Sequence, residues 1–209
     1  MRKIKVLCLH GYRQTADSFY EKTGAFRKHL KKKADFAFLT APNNIPEDDG
    51  SAWWFSHPDL KFSAKDVSNH SIGFQTSVDA LKVFISDEGP FDGIFAFSQG
   101  AAFALILQLM LENHLLDLGE FRPKFSILIA PFLSTSARFQ EAYGHKTSLP
   151  TLVIYGKADE VIPPGMTEAI LPMFHPPATV YAHEGGHFIP ANADAKLAYD
   201  SLLSPLLME

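Results

Sequence analysis

Residues 93–109 read GIFAFSQGAAFALILQL. A short apolar run leads straight into Ser98, then Gln99-Gly100-Ala101, then a segment that is apolar nearly all round. This is the strand–turn–helix setting that a nucleophile elbow needs. The turn is tight, so the positions two before and two after the serine must be small. Ala96 and Gly100 meet that need, although the usual pattern carries glycine at the first of them. The serine hydroxyl is then presented at the carboxyl end of a sheet and at the start of a helix. There the backbone N–H of Gln99 is unpaired and the helix dipole favours developing negative charge. Short versions of this pattern are common, and taken alone it also fits a serine that merely caps a helix.

Outward from this stretch the chain repeats the same rhythm. Short, continuous apolar runs at 3–9, 35–40, 93–97, 125–130, 151–155 and 179–182 predict parallel strands covered on both faces. Helical patterns follow at 23–33, 70–87, 99–116 and 193–207, the second stopping at Gly89-Pro90. Alternating strands and helices predict a doubly wound α/β domain with right-handed crossovers, six strands in the order 2-1-3-4-5-6. At 209 residues the chain fits a single domain spanning 1–209. One segment breaks the rhythm: 42–69, PNNIPEDDGSAWWFSHPDLKFSAKDVSN. Loops of this length inside a domain are usually functional or mobile. Trp53, Trp54 and Phe55 are expected to fold back as the rim of a pocket, with satellite core as the plainer reading.

Composition narrows the classes. Hydrophobic residues are 46% and charged residues 20%, ordinary for a globular protein. A net charge of −4 without a dense basic stripe argues against nucleic acid as a partner. The basic run KHLKKK at 28–33 reads as cations solvated at a helix C-terminus. No apolar run is long enough to span a membrane, and MRKIKVLCLHGYRQ reads as a first strand rather than a signal peptide. The single cysteine, Cys8, excludes a disulfide framework and suits a reducing compartment, so a cytoplasmic location is expected.

A serine hydroxyl needs a base, and the base needs an orienting acid. LVIYGKADEVIP, 152–163, places Asp159 in the turn after a strand, and the chain order Ser…Asp…His makes it the expected acid. The base must come from HEGGHFIP, 183–190, which also spells the H-E-x-x-H pattern of zinc proteases. That pattern needs a helix to put both imidazoles on one metal. Gly185 and Gly186 each cost a helix about 1 kcal/mol relative to alanine, a strand precedes them, and Pro190 follows. The stretch is therefore a glycine turn, no metal is expected, and His187 is the expected base, with His183 structural. The first strand ends in LHGYRQ, 9–14, beside the third strand in a doubly wound sheet. The N–H of Tyr12 is thus the second expected oxyanion donor beside that of Gln99, and His10 a support of that loop. His57, beside the tryptophans, is the one other histidine kept as a pocket residue.

Together, VLCLHGYRQ, EKTGAFRK, WWF, GPFDGIFAFSQGAA, YGKADEVIP and GGHFIP, spread over residues 6 to 190, make the chain resemble the eukaryotic family of serine hydrolases (FSH) of the α/β-hydrolase superfamily, and its ovarian-cancer-associated branch in particular. The resemblance implies a compact hydrolase core without a large lid domain. It puts nucleophile, acid and base on Ser98, Asp159 and His187. It implies a carboxylesterase favouring long, straight acyl chains, with Trp53, Trp54, Phe55, Phe132, Ile162 and Phe188 as an apolar acyl channel, a small-molecule ester as substrate and no cofactor. The same three residues also fit a thioesterase or lysophospholipase, and the fold also serves non-catalytic proteins that bind apolar ligands. A metalloprotease is the remaining rival. The oligomeric state is left open.

Overall fold

In the computed structural model, residues 3–207 are described. Strands β1 (Ile4–Leu9), β2 (Ala34–Leu39), β3 (Gly93–Phe97), β4 (Phe125–Ile129), β5 (Thr151–Gly156) and β6 (Thr179–His183) form one sheet. Its spatial order is β2-β1-β3-β4-β5-β6, and all five pairings are parallel. The order is the one predicted.

Alternation along the strands explains why both faces are covered. Leu7 and Leu9 of β1 and Ile94 and Ala96 of β3 face one core, while Val6, Cys8, Phe95 and Phe97 face a second. Helices α1 (Ala16–Lys22) and α2 (Gly24–Leu30) cover the second face with Phe19, Phe26 and Leu30. Helix α3 (Phe74–Glu88) and the buried α4 (Gln99–Glu112) cover the first. Two short helices follow, α5 (Gln140–Tyr143) and α6 (Pro164–Glu168). Helix α7 (Ala193–Leu203) returns to the second face through Ala195, Tyr199 and Leu203. Among the described residues no helix is long and apolar enough to cross a membrane.

Where boundaries differ from expectation, side-chain hydrogen bonds decide. The helix expected over 23–33 is preceded by α1, which a capping box between Thr15 and Ser18 starts and whose only buried residue is Phe19. One buried side chain leaves no apolar period to read. Helix α4 stops at Glu112 rather than at 116, because the Asn113 amide donates to Leu109 O at 2.8 Å and His114 turns left-handed at φ 60°. Helix α7 ends ahead of Pro205, and Pro205–Leu207 is a 3-10 turn instead of its last turn.

The excursion over 42–69 folds onto the first face. Asn43–Asn44 pairs antiparallel with Ser51–Ala52, and Phe55 bridges to Ile72. The Asn43 amide donates to Ala52 O at 2.9 Å and Gly73 O at 3.1 Å, tying this hairpin to the start of α3. Trp53 and Trp54 are wholly buried in the first-face core, and Phe55, 3% exposed, joins a satellite cluster with Ile45 and Ala52, so none of the three stands open to solvent. Trp53 stacks on Phe103 of α4 at 4.8 Å, and its indole N–H donates to His10 O at 2.7 Å. An indole left in water would forgo both.

Truncating Trp53 removes a ring with no room to collapse around the gap. Trp53→Ala should lower unfolding free energy in urea by about 3–5 kcal/mol; a loss below about 1 kcal/mol would show that the ring is not core.

Candidate active site

The turn from β3 into α4 forces an unusual backbone. Ser98 has φ 55° and ψ −119°, a strained conformation for a residue with a Cβ. It is held there by its own N–H, which donates to Ile129 O at 2.8 Å, and by the start of α4, where Ala102 N–H donates to Ser98 O at 3.0 Å. Two residues on, a Cβ on Gly100 would lie 2.3 Å from His10 O and 2.5 Å from Leu9 O. Only glycine permits this approach, and it sets the end of β1 against the elbow.

That approach fixes the loop after β1. His10 is fully buried. Its Nε2 accepts from Ala41 N–H at 2.9 Å, which leaves the proton on Nδ1, donating to Gly11 O at 2.7 Å. Gly11 N–H donates to the Gln14 side chain at 2.9 Å. Beyond Gly11, Tyr12 N–H has no protein acceptor among the described residues, and neither does Gln99 N–H. The Gln99 side chain is also buried. Its Oε1 accepts from Trp53 N–H at 2.9 Å and its Nε2 donates to Trp54 O at 2.8 Å. The residue after the serine thus pins the whole 42–69 excursion to the elbow. The sequence reading used only the backbone of Gln99; its amide could have been found from its position, since a buried amide beside a tight turn must find main-chain partners.

Asp159 lies in the loop after β5, 4% exposed. Its Oδ1 accepts from Val161 N–H at 2.9 Å and Ile162 N–H at 2.8 Å. Its Oδ2 lies 2.7 Å from His187 Nδ1, and His187 Nε2 lies 3.0 Å from Ser98 Oγ. With the carboxylate accepting from Nδ1–H, Nε2 keeps the lone pair that faces the serine hydroxyl. Phe97 packs on the His187 ring at 4.6 Å between centroids. The structure brings all three expected residues together.

Glycine again sets the approach. A Cβ on Gly156 would lie 2.2 Å from Gly185 O, so the end of β5 and the glycine turn after β6 touch backbone to backbone. Residues 184–190 form no helix. His183 ends β6, and its Nδ1 accepts from Gly185 N–H at 3.2 Å, while both nitrogens of His187 are engaged elsewhere. The two histidines of H-E-x-x-H therefore do not share a helical face. Burial pushes the His183 pKa down.

The expected acyl channel is another matter. Phe132 and Ile162, like Trp54, are buried and belong to the first-face core. Phe188 is 50% exposed and sits on the outer side of its loop against His183, at 4.8 Å. A Cβ on Gly185 would lie 2.4 Å from the Phe188 ring, so glycine there leaves room for that ring to lie over the turn, half exposed. His57 is exposed and pairs with Asp66 at 2.9 Å. The ring missing from the sequence reading is Phe62, which packs on Tyr12, Trp54 and Phe132. Nothing in its exposed, polar neighbourhood of sequence marks it.

A parallel sheet in this order, with a strained serine between the third strand and the buried helix, defines an α/β-hydrolase. A solved structure titled "Crystal structure of esterase PE8" shares the fold, with a TM-score of 0.69 at 20% identity, covering 97% of this chain and 92% of that one. The family model described as Serine hydrolase (FSH1) matches residues 1–199. Esterase OVCA2 of Danio rerio is 38% identical over 221 residues, covering 96% of each protein. Esterase CG5412 of Drosophila melanogaster is 37% identical over 215 residues, covering 99% of this chain and 76% of the relative. The chain belongs to the FSH1 family and is a serine hydrolase.

The His10 tautomer makes the loop after β1 acid-sensitive. Burial pushes its pKa from 6.5 down to about 4, against a weaker raising by the Gly11 carbonyl. The unfolded chain then binds the proton more readily, so this stability is full above about pH 6.5 and is lost as pH falls toward 4. Between about pH 7 and pH 5 the His10 share of the loss should be about 2 kcal/mol. His10→Gln should lose about that much less over the same interval in urea unfolding; equal losses in both proteins would contradict it.

Proposed function

We propose that this serine hydrolase cleaves carboxylic esters through an acyl-enzyme. The hydrogen-bonded series Asp159–His187–Ser98 carries the reading, with the carboxylate doubly anchored by main-chain N–H groups. Ser98 Oγ attacks the ester carbonyl while His187 Nε2 takes its proton. Asp159 keeps the imidazole in the tautomer that accepts at Nε2 and stabilises the cation that forms. The carbonyl oxygen, now negative, is held by Tyr12 and Gln99 N–H; one such donor is typically worth on the order of 100-fold in turnover. The tetrahedral centre collapses, the alcohol leaves with the proton from His187, and the acyl group stays on Ser98. Water then gives its proton to His187, attacks the acyl carbonyl, and releases the acid and the free serine. Every proton is returned, so the cycle needs no cofactor.

The acyl side is proposed to be apolar and straight. Tyr12, which carries one oxyanion donor, abuts Phe62 at 5.2 Å, and Phe62 abuts Trp54 and Phe132. A chain entering from the carbonyl meets hydrocarbon there. A thioester would be attacked by the same serine, and oxygen esters are preferred here on the names of the relatives.

A p-nitrophenyl ester series checks both parts. The wild-type kcat/KM should rise by up to about fourfold per added methylene, the value of burying one CH₂. Ser98→Ala should lower turnover by about 10⁴-fold or more at every length, because the three groups act as a unit. Activity retained in Ser98→Ala would refute the mechanism, and a flat series would remove the apolar acyl site. Faster turnover of matched thioesters would reassign the leaving group.

A further inference from the structure

Trp54 carries a buried polar atom that the mechanism above does not use. The residue is wholly buried, and its indole Nε1–H has no hydrogen-bond acceptor among the described residues. Its neighbour Trp53, equally buried, donates its own indole proton to His10 O at 2.7 Å. The two adjacent indoles therefore differ in the one respect that burial penalises, since a buried donor left unpaired costs more than one never desolvated. Rings surround Trp54: Phe62 at 5.4 Å, Phe139 at 5.8 Å, and Phe74 and Phe132 at 6.4 Å. An aromatic face is at best a weak acceptor.

The position of this donor ties it to the reaction. The Trp54 carbonyl is held by the side chain of Gln99, next to Ser98. Phe62, which packs edge-on to the indole at 5.4 Å, also packs against Tyr12 at 5.2 Å. The ring thus lies one layer behind the place where the acyl group must extend. Of the four rings on Trp54, Phe74, Phe132 and Phe139 are buried, and Phe62 is only partly so. Phe62 belongs to a segment, 56–70, with no helix or strand. Polar bonds hold that segment: Ser56 Oγ to Asp66 at 2.6 Å, Thr135 Oγ1 to Asp66 O at 3.0 Å and the exposed Lys65 Nζ to Glu160 O at 2.7 Å. Such a segment opens at far lower cost than the packed sheet. The place Phe62 fills is bounded by Tyr12, Phe132 and the indole.

We propose that Trp54 is a specificity-determining residue, its indole N–H held for an oxygen carried on the acyl chain of the substrate. The preferred substrate class is then an ester whose acyl chain is mostly hydrocarbon but bears one keto or hydroxyl oxygen beyond the ester carbonyl. The chain displaces Phe62, and the oxygen pairs with the donor that is otherwise without a partner. Plain alkyl chains still bind through their methylenes, but they leave the donor unmatched. A site built to hydrogen-bond a substrate group discriminates against the analogue that lacks it. This rests on the acyl-side assignment made above.

The experiment compares p-nitrophenyl decanoate with the esters of its keto isomers, the keto group kept well away from the ester carbonyl so that intrinsic reactivity is equal. In the wild-type protein one keto isomer should exceed the alkyl parent in kcat/KM by about five- to tenfold, the usual worth of one neutral hydrogen bond. In Trp54→Phe, which keeps an aromatic, apolar side chain there but removes the donor, that ratio should fall to about one. No preferred keto isomer in the wild type, or a preference that survives Trp54→Phe, overturns the proposal. If Trp54→Phe does not fold, the wild-type series decides alone. Failure of the wild type to hydrolyse p-nitrophenyl acetate would instead sink the esterase reading on which the proposal stands.

Discussion

The strained backbone of Ser98 is the constraint on which the rest depends. At φ 55° and ψ −119° the chain reverses from β3 into α4 within one residue, which no relaxed turn with a side chain does. The strain is sustained because the surroundings over-determine it. The Ser98 N–H is bonded to β4, Gly100 lies against the carbonyls of Leu9 and His10, and Gln99 holds the main chain of both tryptophans. Each restraint also positions something else. The β4 bond fixes the elbow to the sheet, the Gly100 contact brings in the Tyr12 loop, and the Gln99 amide anchors the long excursion. One tight turn thus organises three loops that are distant in sequence.

A second backbone contact assembles the other half. Gly156 and Gly185 meet with no room for a Cβ, so the loops bearing Asp159 and His187 are set by the same pair of strands, β5 and β6. The carboxylate is buried but not bare. Two N–H groups satisfy one oxygen and the imidazole satisfies the other, which is how a buried charge is tolerated. Rigid strand ends therefore carry the polar groups, while the aromatic cover around Trp54 borrows its one partly exposed ring, Phe62, from a segment held by polar bonds.

The sheet and the meeting of Ser98, Asp159 and His187 were legible because each leaves a local mark. Parallel strands buried on both faces read as unbroken apolar runs, and glycine or alanine stands wherever two backbones touch. The order of the strands followed from the doubly wound pattern, which sets the first and third strands side by side at the switch point. The glycines of HEGGHFIP were enough to exclude a helix, whatever its histidine spacing. The surroundings of Trp53 and Trp54 were not legible. Large rings in a polar loop can seal a pocket or pack onto a helix, and the choice turns on tertiary contacts with Phe103 and Gln99. The place of Phe188 is set by its ring filling the space beside Gly185, a contact that composition does not encode. Phe62 left no trace, and α1 hid because it buries a single ring and is started by a capping box.

The central claim is that Ser98 alone among the serines is made nucleophilic. Treating the folded protein with a fluorophosphonate and mapping the adduct by mass spectrometry tests this most directly. The account predicts stoichiometric phosphonylation confined to Ser98, abolished by prior acid unfolding. An adduct on another residue, or none at all on a folded protein that still hydrolyses esters, would contradict it.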